Sequence, residues 1–425
     1  MASPTFQNTL WLGSASVLTG VVGAVSSALY ARYLGVGDFG VLILILTILT
    51  AMSDLSDLGL SNSLIRFGSR SVAEGDSVRL KTVLSIVFRA KLIVAGILLL
   101  VAIGLVQPFV RLVFDHVDEK ITFYFLFSLA AVALNAVASI FAPLFQAFKR
   151  FRVQSLLSVL RSAVKLLLLL LCILILTQIS VTLIIWIEIV SLLLYLGTCY
   201  YFSPVKSFSL FSRDQTLQRE IFSFNKWISL YQIIALVGGR LDILLVGGLA
   251  NANALGLYGA ASKIAFLLIT VANSYLTVLL PEFSSCVSFD DLKRRQRNAG
   301  MGVAFIALCI LLLGILADPL VRVIFGEEFT EAASVFRIMC AGVIFTVLGY
   351  PFNATLFAMN KSAVFPVISA VSMTTFVIAN IYLIPQLGVN GAAIAYSTSS
   401  GVAFLVSLAF YRSIVGKVRE REAAL

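Results

Sequence analysis

Residues 9–40 read TLWLGSASVLTGVVGAVSSALYARYLGVGDFG. Gly35, Gly37 and Gly40 spell G-x-G-x-x-G, the spacing of a dinucleotide-binding turn. That turn needs a strand before it, a helix after it and an acidic residue about 20 positions on to meet the ribose. Here the preceding stretch, Thr9 to Tyr30, carries no charge and is far too long and apolar for such a strand. A helix of roughly 20 apolar residues crosses about 30 Å of hydrocarbon, and this stretch satisfies that length. Gly37 and Gly40 are therefore expected to turn the chain from one membrane span into the next and to pack closely there.

Composition agrees. Sixty per cent of the 425 residues are hydrophobic and 12% charged, with a mean hydropathy of +1.01. These values lie far from a soluble average and specify an integral membrane protein. Every backbone polar group inside lipid must be bonded within the span, so helices are expected; barrel strands would show short alternating segments instead. Twelve apolar runs occur, at residues 9–30, 41–66, 83–106, 121–147, 155–177, 181–202, 222–248, 256–280, 299–317, 332–357, 364–384 and 390–411. The segment before the first lacks Lys and Arg, so that run reads as a span and not as a secretion signal.

Basic residues fall unevenly between alternate connections. One set holds Arg66, Arg70, Arg79, Lys81, Lys149, Arg150, Arg152, Lys206, Arg213, Arg219, the run KRRQR at 293–297, Lys361 and the C-terminal cluster from Arg412. The other holds Arg32, Arg111, Lys120 and Arg322. By the positive-inside rule the rich set is cytoplasmic, which places both termini inside. The net charge of +10 then reflects topology and contact with anionic lipid, and does not indicate nucleic acid.

The chain also repeats itself at about half its length. Gly37-Asp38-Phe39-Gly40 returns as Gly256-Leu257-Tyr258-Gly259, giving a second turn-and-packing pair in Gly256 and Gly259. Pro108-Phe109-Val110-Arg111-Leu112-Val113-Phe114 returns as Pro319-Leu320-Val321-Arg322-Val323-Ile324-Phe325. Leu144-Phe145-Gln146-Ala147-Phe148-Lys149 is echoed by Leu356-Phe357-Ala358-Met359-Asn360-Lys361. The matches occur in order at equivalent run ends, so the chain reads as two pseudo-symmetric six-helix lobes, 1–212 and 213–425. An even number of helices per lobe gives the two lobes one orientation, related by an axis along the membrane normal.

Catalytic signatures are sparse. There is no G-x-x-x-x-G-K-[ST] for ATP binding. The one histidine, His116, sits in a short polar loop, and Cys172, Cys199, Cys286, Cys309 and Cys340 are too scattered for a disulfide framework or metal site. No connection is long enough for the outer domain a glycan polymerase would need. The expectation is a non-enzyme without cofactor or metal.

Charges inside apolar runs are costly and mark interior faces or aqueous cavities. Asp54 and Asp57 lie i,i+3 on one face of the second run, where either could pair with Arg66 or Lys165 or serve as a proton or sodium ligand. Arg161 and Lys165 lie i,i+4 in the fifth run; Arg161 can snorkel or line a cavity, whereas Lys165 is deep. Arg240 and Asp242 occupy the seventh run, Lys263 the eighth and Glu188 the sixth. Arg89 and Lys91, near the inner end of the third run, are expected to snorkel to the interface. A cavity with excess cations suits an anionic cargo such as a pyrophosphate, whose lost hydration fixed Lys and Arg groups replace.

Several motifs together resemble the polysaccharide transport family of the multidrug/oligosaccharidyl-lipid/polysaccharide (MOP) flippase superfamily, the group containing the O-antigen (Wzx-type) flippases. They are YLGVGDFG at 33–40, DLGLSNSLIRF at 57–67, LFQAFKRF at 144–151 and GRLDILLVGGLANANALGLYGAASKI at 239–264. PLVRVIFGEEFTEAASVFRIM at 319–339 and LIPQLGVNGAAIAYS at 383–397 complete the set. The resemblance implies an all-α fold like that of the multidrug (MATE) transporters, with two lobes around a cavity that opens alternately to either side. It implies transfer of an undecaprenyl-pyrophosphate-linked oligosaccharide from the inner to the outer leaflet of the bacterial cytoplasmic membrane, with polymerase and export proteins as partners. Arg66, Arg240 and Lys263 would be headgroup contacts, and Asp54, Asp57 and Asp242 ion-pair or coupling residues for H+ or Na+. Two alternatives stand beside it: a cation-coupled multidrug antiporter of the same superfamily, and a noncatalytic membrane component of a glycan-assembly complex.

Overall fold

The computed structural model describes residues 4–114, 119–176, 178–209, 214–284, 289–359, 361 and 364–423. Among the described residues there are α-helices, one short 3-10 turn and no strand. The helices are α1 (Pro4–Asp57), α2 (Leu60–Ala73), α3 (Ser77–Phe114), α4 (Glu119–Ala138), α5 (Phe141–Ala147), α6 (Phe151–Ile175) and α7 (Val181–Phe202). They continue as α8 (Gln215–Leu249), α9 (Ala252–Ser284), α10 (Phe289–Ile315), α11 (Ala317–Phe325), α12 (Ala332–Leu348), α13 (Tyr350–Ala358) and α14 (Val364–Ala423). Nine stretches among the described residues are long and apolar enough to cross a membrane. Leu100, Leu174 and Ile175 are largely exposed, as side chains facing acyl chains must be. The protein is thus an all-helical, multi-pass membrane protein.

Two of these helices each contain a break at one glycine. Gly35 (φ 74°, ψ 176°) interrupts α1, and Gly388 (φ 57°, ψ −137°) interrupts α14. Both are conformations that a Cβ would strain. The turn expected at Gly37 and Gly40 therefore pivots on Gly35. Gly37 and Gly40 are helical and serve packing, Gly40 being buried. Gly256 and Gly259 are likewise buried helical residues at the start of α9, where Asn251 Oδ1 accepts the Ala254 N–H at 2.8 Å. Both breaks fall in the tripeptide Leu-Gly-Val, at 34–36 and 387–389.

The internal repeat has structural counterparts. α4 is followed after a break by the short α5, and α12 after a break by the short α13. The two short helices end in the same cap: the Arg150 N–H donates to Phe145 O at 2.8 Å, and the Lys361 N–H to Leu356 O at 2.9 Å. Each is the five-residue back-bond of a Schellman motif, and Lys149 supplies the positive φ (57°) in the first. The LFQAFK and LFAMNK segments thus end a helix by the same kind of back-bond, one residue out of register between the two.

The chain forms two compact units, Met1–Arg240 and Leu241–Leu425, whose division falls inside α8. In the first unit, Leu217 and Ile221 of α8 join Leu60 and Leu64 of α2 and Leu84 and Val87 of α3 in one buried cluster. The start of α8 is therefore part of that unit's core. In the second unit the core runs along α12 (Phe336, Val343 and Val347) with Tyr258 of α9 and Ala392 of α14.

Candidate functional site

The first polar centre is built on a break in the first unit. α1 ends at Asp57 because Leu58 (φ 41°) and Gly59 (φ 79°) both adopt left-handed backbone. The break leaves the Leu58 carbonyl without a helical donor. Asn225 Nδ2 and Ser229 Oγ of α8 donate to it at 2.8 and 2.7 Å. The same α8 face closes over Gly59, where a Cβ would lie 2.5 Å from Ile228 Cγ2 and 3.1 Å from Asn225 Oδ1. Gly59→Ala is accordingly expected to destabilise the first unit by about 1–3 kcal/mol through strain and overpacking. Gly75 also has positive φ but nothing within 4 Å of its Cβ position, so Gly75→Ala supplies the backbone component alone. Thermal unfolding in detergent should rank Gly59→Ala clearly below Gly75→Ala; equal midpoints would show that α8 does not clamp the break.

Beside this break lies Lys91, which is fully buried. Its Nζ is 2.6 Å from Asp57 Oδ1, 3.1 Å from Ser61 Oγ, and 3.1 and 3.3 Å from Ser139 Oγ and O. Ser61 Oγ also donates to Asp57 Oδ1 at 2.6 Å. Ser139 stands in the gap between α4 and α5. One ammonium therefore ties the α1–α2 break to the α4–α5 break, and its protons all find acceptors, as a buried charge requires. Two expectations are corrected. Lys91 does not snorkel, and the partner of Asp57 is neither Arg66 nor Lys165. Asp54, one turn earlier, is exposed and lies in a different environment from Asp57.

The second centre joins α6 to α7. Arg161 and Lys165 do share a face, and both converge on Glu188: Arg161 Nη2 lies 3.0 Å from Glu188 Oε1, and Lys165 Nζ pairs with Oε2. Glu188 is 8% exposed, against 29% for Arg161 and 25% for Lys165. The carboxylate is thus covered while both cations keep an open side. The Arg161 guanidinium also stacks over Tyr195, 5.4 Å from the ring centroid. Tyr30 of α1 is buried where it interacts with Lys165 and Glu188, and its hydroxyl has no hydrogen-bond partner among the described residues. Two cations against one anion leave this centre with one net positive charge inside the span.

The remaining predicted residues do not join these centres. Arg66 is exposed on α2, and its guanidinium lies over Phe224 of α8 at 4.2 Å from the ring centroid. In the second unit, Asp242 Oδ2 accepts from the buried Tyr258 hydroxyl at 3.3 Å, and Lys263 is exposed on α9. The side chain of Arg240 lies outside the described residues, as do His116 and Cys286. Among the described residues no group of His, Cys, Asp and Glu could hold a metal ion.

Sequence reading missed Lys91 as a buried group and Asn225 and Ser229 altogether. Arg89 and Lys91 are two residues apart, about 200° around a helix, so they cannot both snorkel from one face. Asn225 and Ser229 form an i,i+4 polar pair on one face of α8, the pattern of a helix that satisfies a neighbour's backbone.

Comparison with known proteins gives the family. Residues 5–287 match the polysaccharide biosynthesis protein family. A putative O-antigen transporter of Shigella flexneri is 23% identical over 182 residues, covering 42% of this chain and 43% of the relative. The capsular polysaccharide biosynthesis protein CapF of Staphylococcus aureus is 29% identical over 174 residues, covering 38% of this chain and 43% of the relative. The matches to these relatives thus span less than half of their length. The inward-facing structure of a multidrug resistance MATE family transporter of the MOP superfamily superposes with a TM-score of 0.75 at 14% identity, covering 94% of this chain and 96% of that one. That likeness establishes the fold. The family match covers well over half of the chain, and the protein belongs to the polysaccharide biosynthesis protein family.

Proposed function

We propose that the protein is a flippase that carries an undecaprenyl-pyrophosphate-linked oligosaccharide from the inner to the outer leaflet of the bacterial cytoplasmic membrane by alternating access. The chain acts as a transporter and not as an enzyme. Twelve spans with both termini cytoplasmic fit this reading: α1 and α14 each supply two helices about a glycine, and α8 adds one to the stretches counted above.

The observation that carries the proposal is the Arg161–Lys165–Glu188 centre. A net positive charge within a span is costly and is retained where it meets a compensating anion. The open sides of Arg161 and Lys165 present N–H donors to a pyrophosphate, and the orphaned Tyr30 hydroxyl stands ready to join them. The family resemblance adds Arg66, Arg240 and Lys263 as headgroup contacts apart from this centre. With a negative cytoplasm, moving two negative charges outward releases about 4–5 kcal/mol per 100 mV, so export needs no ATP. If H+ or Na+ is coupled, Asp54, Asp57 and Asp242 are the candidate ligands, with Asp57 held by Lys91 and Asp242 by Tyr258. Polysaccharide polymerase and export proteins would act on the flipped product.

The test is deletion of the gene in its host, with surface polysaccharide and the inner-leaflet pool of lipid-linked oligosaccharide measured together. Loss of surface glycan with a trapped inner-leaflet intermediate is the expected result. Unchanged glycan would overturn the proposal, and raised sensitivity to cationic drugs would then identify an antiporter. Trapped intermediate in cells, with no lipid movement by the purified chain in liposomes, would assign it instead to a noncatalytic place in a glycan-assembly complex.

A further inference from the structure

A second basic site lies on the first unit, on the helices α3 and α8 that also carry Lys91 and Asn225 but lined by different residues. Arg89 of α3 and Gln215, Gln218, Arg219 and Phe222 of α8 line an open pocket of about 730 Å³. That volume is within the range of small-ligand sites. These side chains offer guanidinium and amide donors and no carboxylate. Of the acidic groups nearby in sequence, Asp214, just before α8, accepts the Leu217 N–H on Oδ1 at 2.9 Å, and Glu220 follows Arg219 on α8. Two guanidiniums brought to one pocket from different helices repel each other unless an anion lies between them, and each presents a planar fork matched to phosphate oxygens.

The location specifies where that phosphate comes from. Before Arg89, Val83, Leu84 and Val87 of α3 are buried in protein, whereas after it Ile93, Ile97 and Leu100 are more than half exposed, so the lipid-facing surface of α3 begins beyond Arg89; Arg219 lies in the opening turns of α8, before its apolar stretch. Both therefore stand at the polar boundary of the bilayer on the side rich in Lys and Arg, which is the cytoplasmic side. Phe222 is 42% exposed and gives the pocket an apolar edge, while Phe88 packs edge-on to Phe208 beside Arg89 at 5.8 Å. A donor-rich pocket with an apolar rim at headgroup depth suits an amphiphile's phosphate better than a dissolved ion.

We propose that this pocket binds the phosphate of an inner-leaflet lipid, with Arg89 and Arg219 gripping the headgroup and Phe222 lying against the first methylenes of the chain. The site requires only the membrane orientation and stands whether or not the protein is a flippase. Two sources share this chemistry: an ordinary anionic phospholipid, and a polyprenyl pyrophosphate waiting to enter the transport path.

The purified full chain in a neutral detergent, titrated with phosphatidylglycerol and separately with undecaprenyl pyrophosphate, tests it by native mass spectrometry. The Arg89→Gln/Arg219→Gln variant should bind at least one of the two lipids about tenfold more weakly than the parent and lose one lipid equivalent. The lipid that shows the loss is the physiological occupant. Arg70→Gln/Arg79→Gln removes the same two charges from the same side, outside the pocket, and should leave that lipid bound. Equal binding by the parent and the pocket variant, or equal weakening in both variants, would overturn the site. So would displacement of the lipid by millimolar inorganic pyrophosphate, because the pocket would then take the free anion. The binding readout involves no transport, so failure of the flippase proposal leaves it intact.

Discussion

Replacing Lys91 by Met should unfold the first unit at markedly lower temperature, with a loss of about 3–5 kcal/mol, the cost typical of leaving one member of a buried ion pair alone. The side chain is fully buried, so no water can take over from the ammonium. Asp57 Oδ1 would keep the Ser61 hydroxyl, while Ser139 O, at an interrupted helix end, would lose a donor. The double variant Lys91→Met/Asp57→Asn separates a structural pair from a charge used in transport. Removing both charges leaves no uncompensated ion, and the double variant should recover at least half of the lost stability. Unfolding in detergent followed by tryptophan fluorescence measures both. A Lys91→Met variant as stable as the parent would show that the ammonium does not tie the two breaks together. A double variant that is stable but inactive would show that the break must be held by charge for the helices to move.

What could be read from sequence divides along physical lines. Helices were legible because lipid leaves the backbone no alternative, and the repeat was legible because similar residues recur at 144–149 and 356–361, where each half ends a short helix. Break positions were harder. YLGVGDFG offers three glycines, and only backbone dihedrals single out Gly35; its match to Leu387-Gly388-Val389 was available in the sequence as a clue. The depth of Lys91 was not legible. α3 is 38 residues long, well beyond a bilayer crossing of roughly 20, so position along the helix does not give distance from water. The segment before Arg89 is apolar because it packs against α2 and α8, and not because it faces lipid. Arg161 and Lys165 were legible as a pair from their spacing. Their convergence on Glu188, a residue of another helix, depends on the packing of α6 against α7, which spacing does not encode.

That convergence sets the second large effect. Lys165→Ala should lower the flipping rate at least tenfold, equivalent to about 1.4 kcal/mol of lost transition-state or binding free energy, while costing little stability. The reason is charge balance. Removing Lys165 leaves Arg161 at 3.0 Å from Glu188 Oε1, a neutral pair in which the carboxylate keeps one cation though Oε2 loses its own, and which no longer offers an anion a net positive charge. Arg161→Ala leaves Lys165 with Glu188 and should behave alike. The double variant Arg161→Ala/Lys165→Ala is different, because it strands Glu188 at 8% exposure and should fail through unfolding, at about 3–5 kcal/mol. Restoring neutrality in that background with Glu188→Gln should recover the fold but not the transport. A proteoliposome assay with a lipid-linked oligosaccharide, read beside thermal unfolding of each variant, resolves the series. Full transport by both single variants would remove the cationic centre from the cargo path and leave it as a structural link between α6 and α7. Lost transport with intact folding in the single variants, and in the neutral triple variant, would place the pyrophosphate at Arg161 and Lys165.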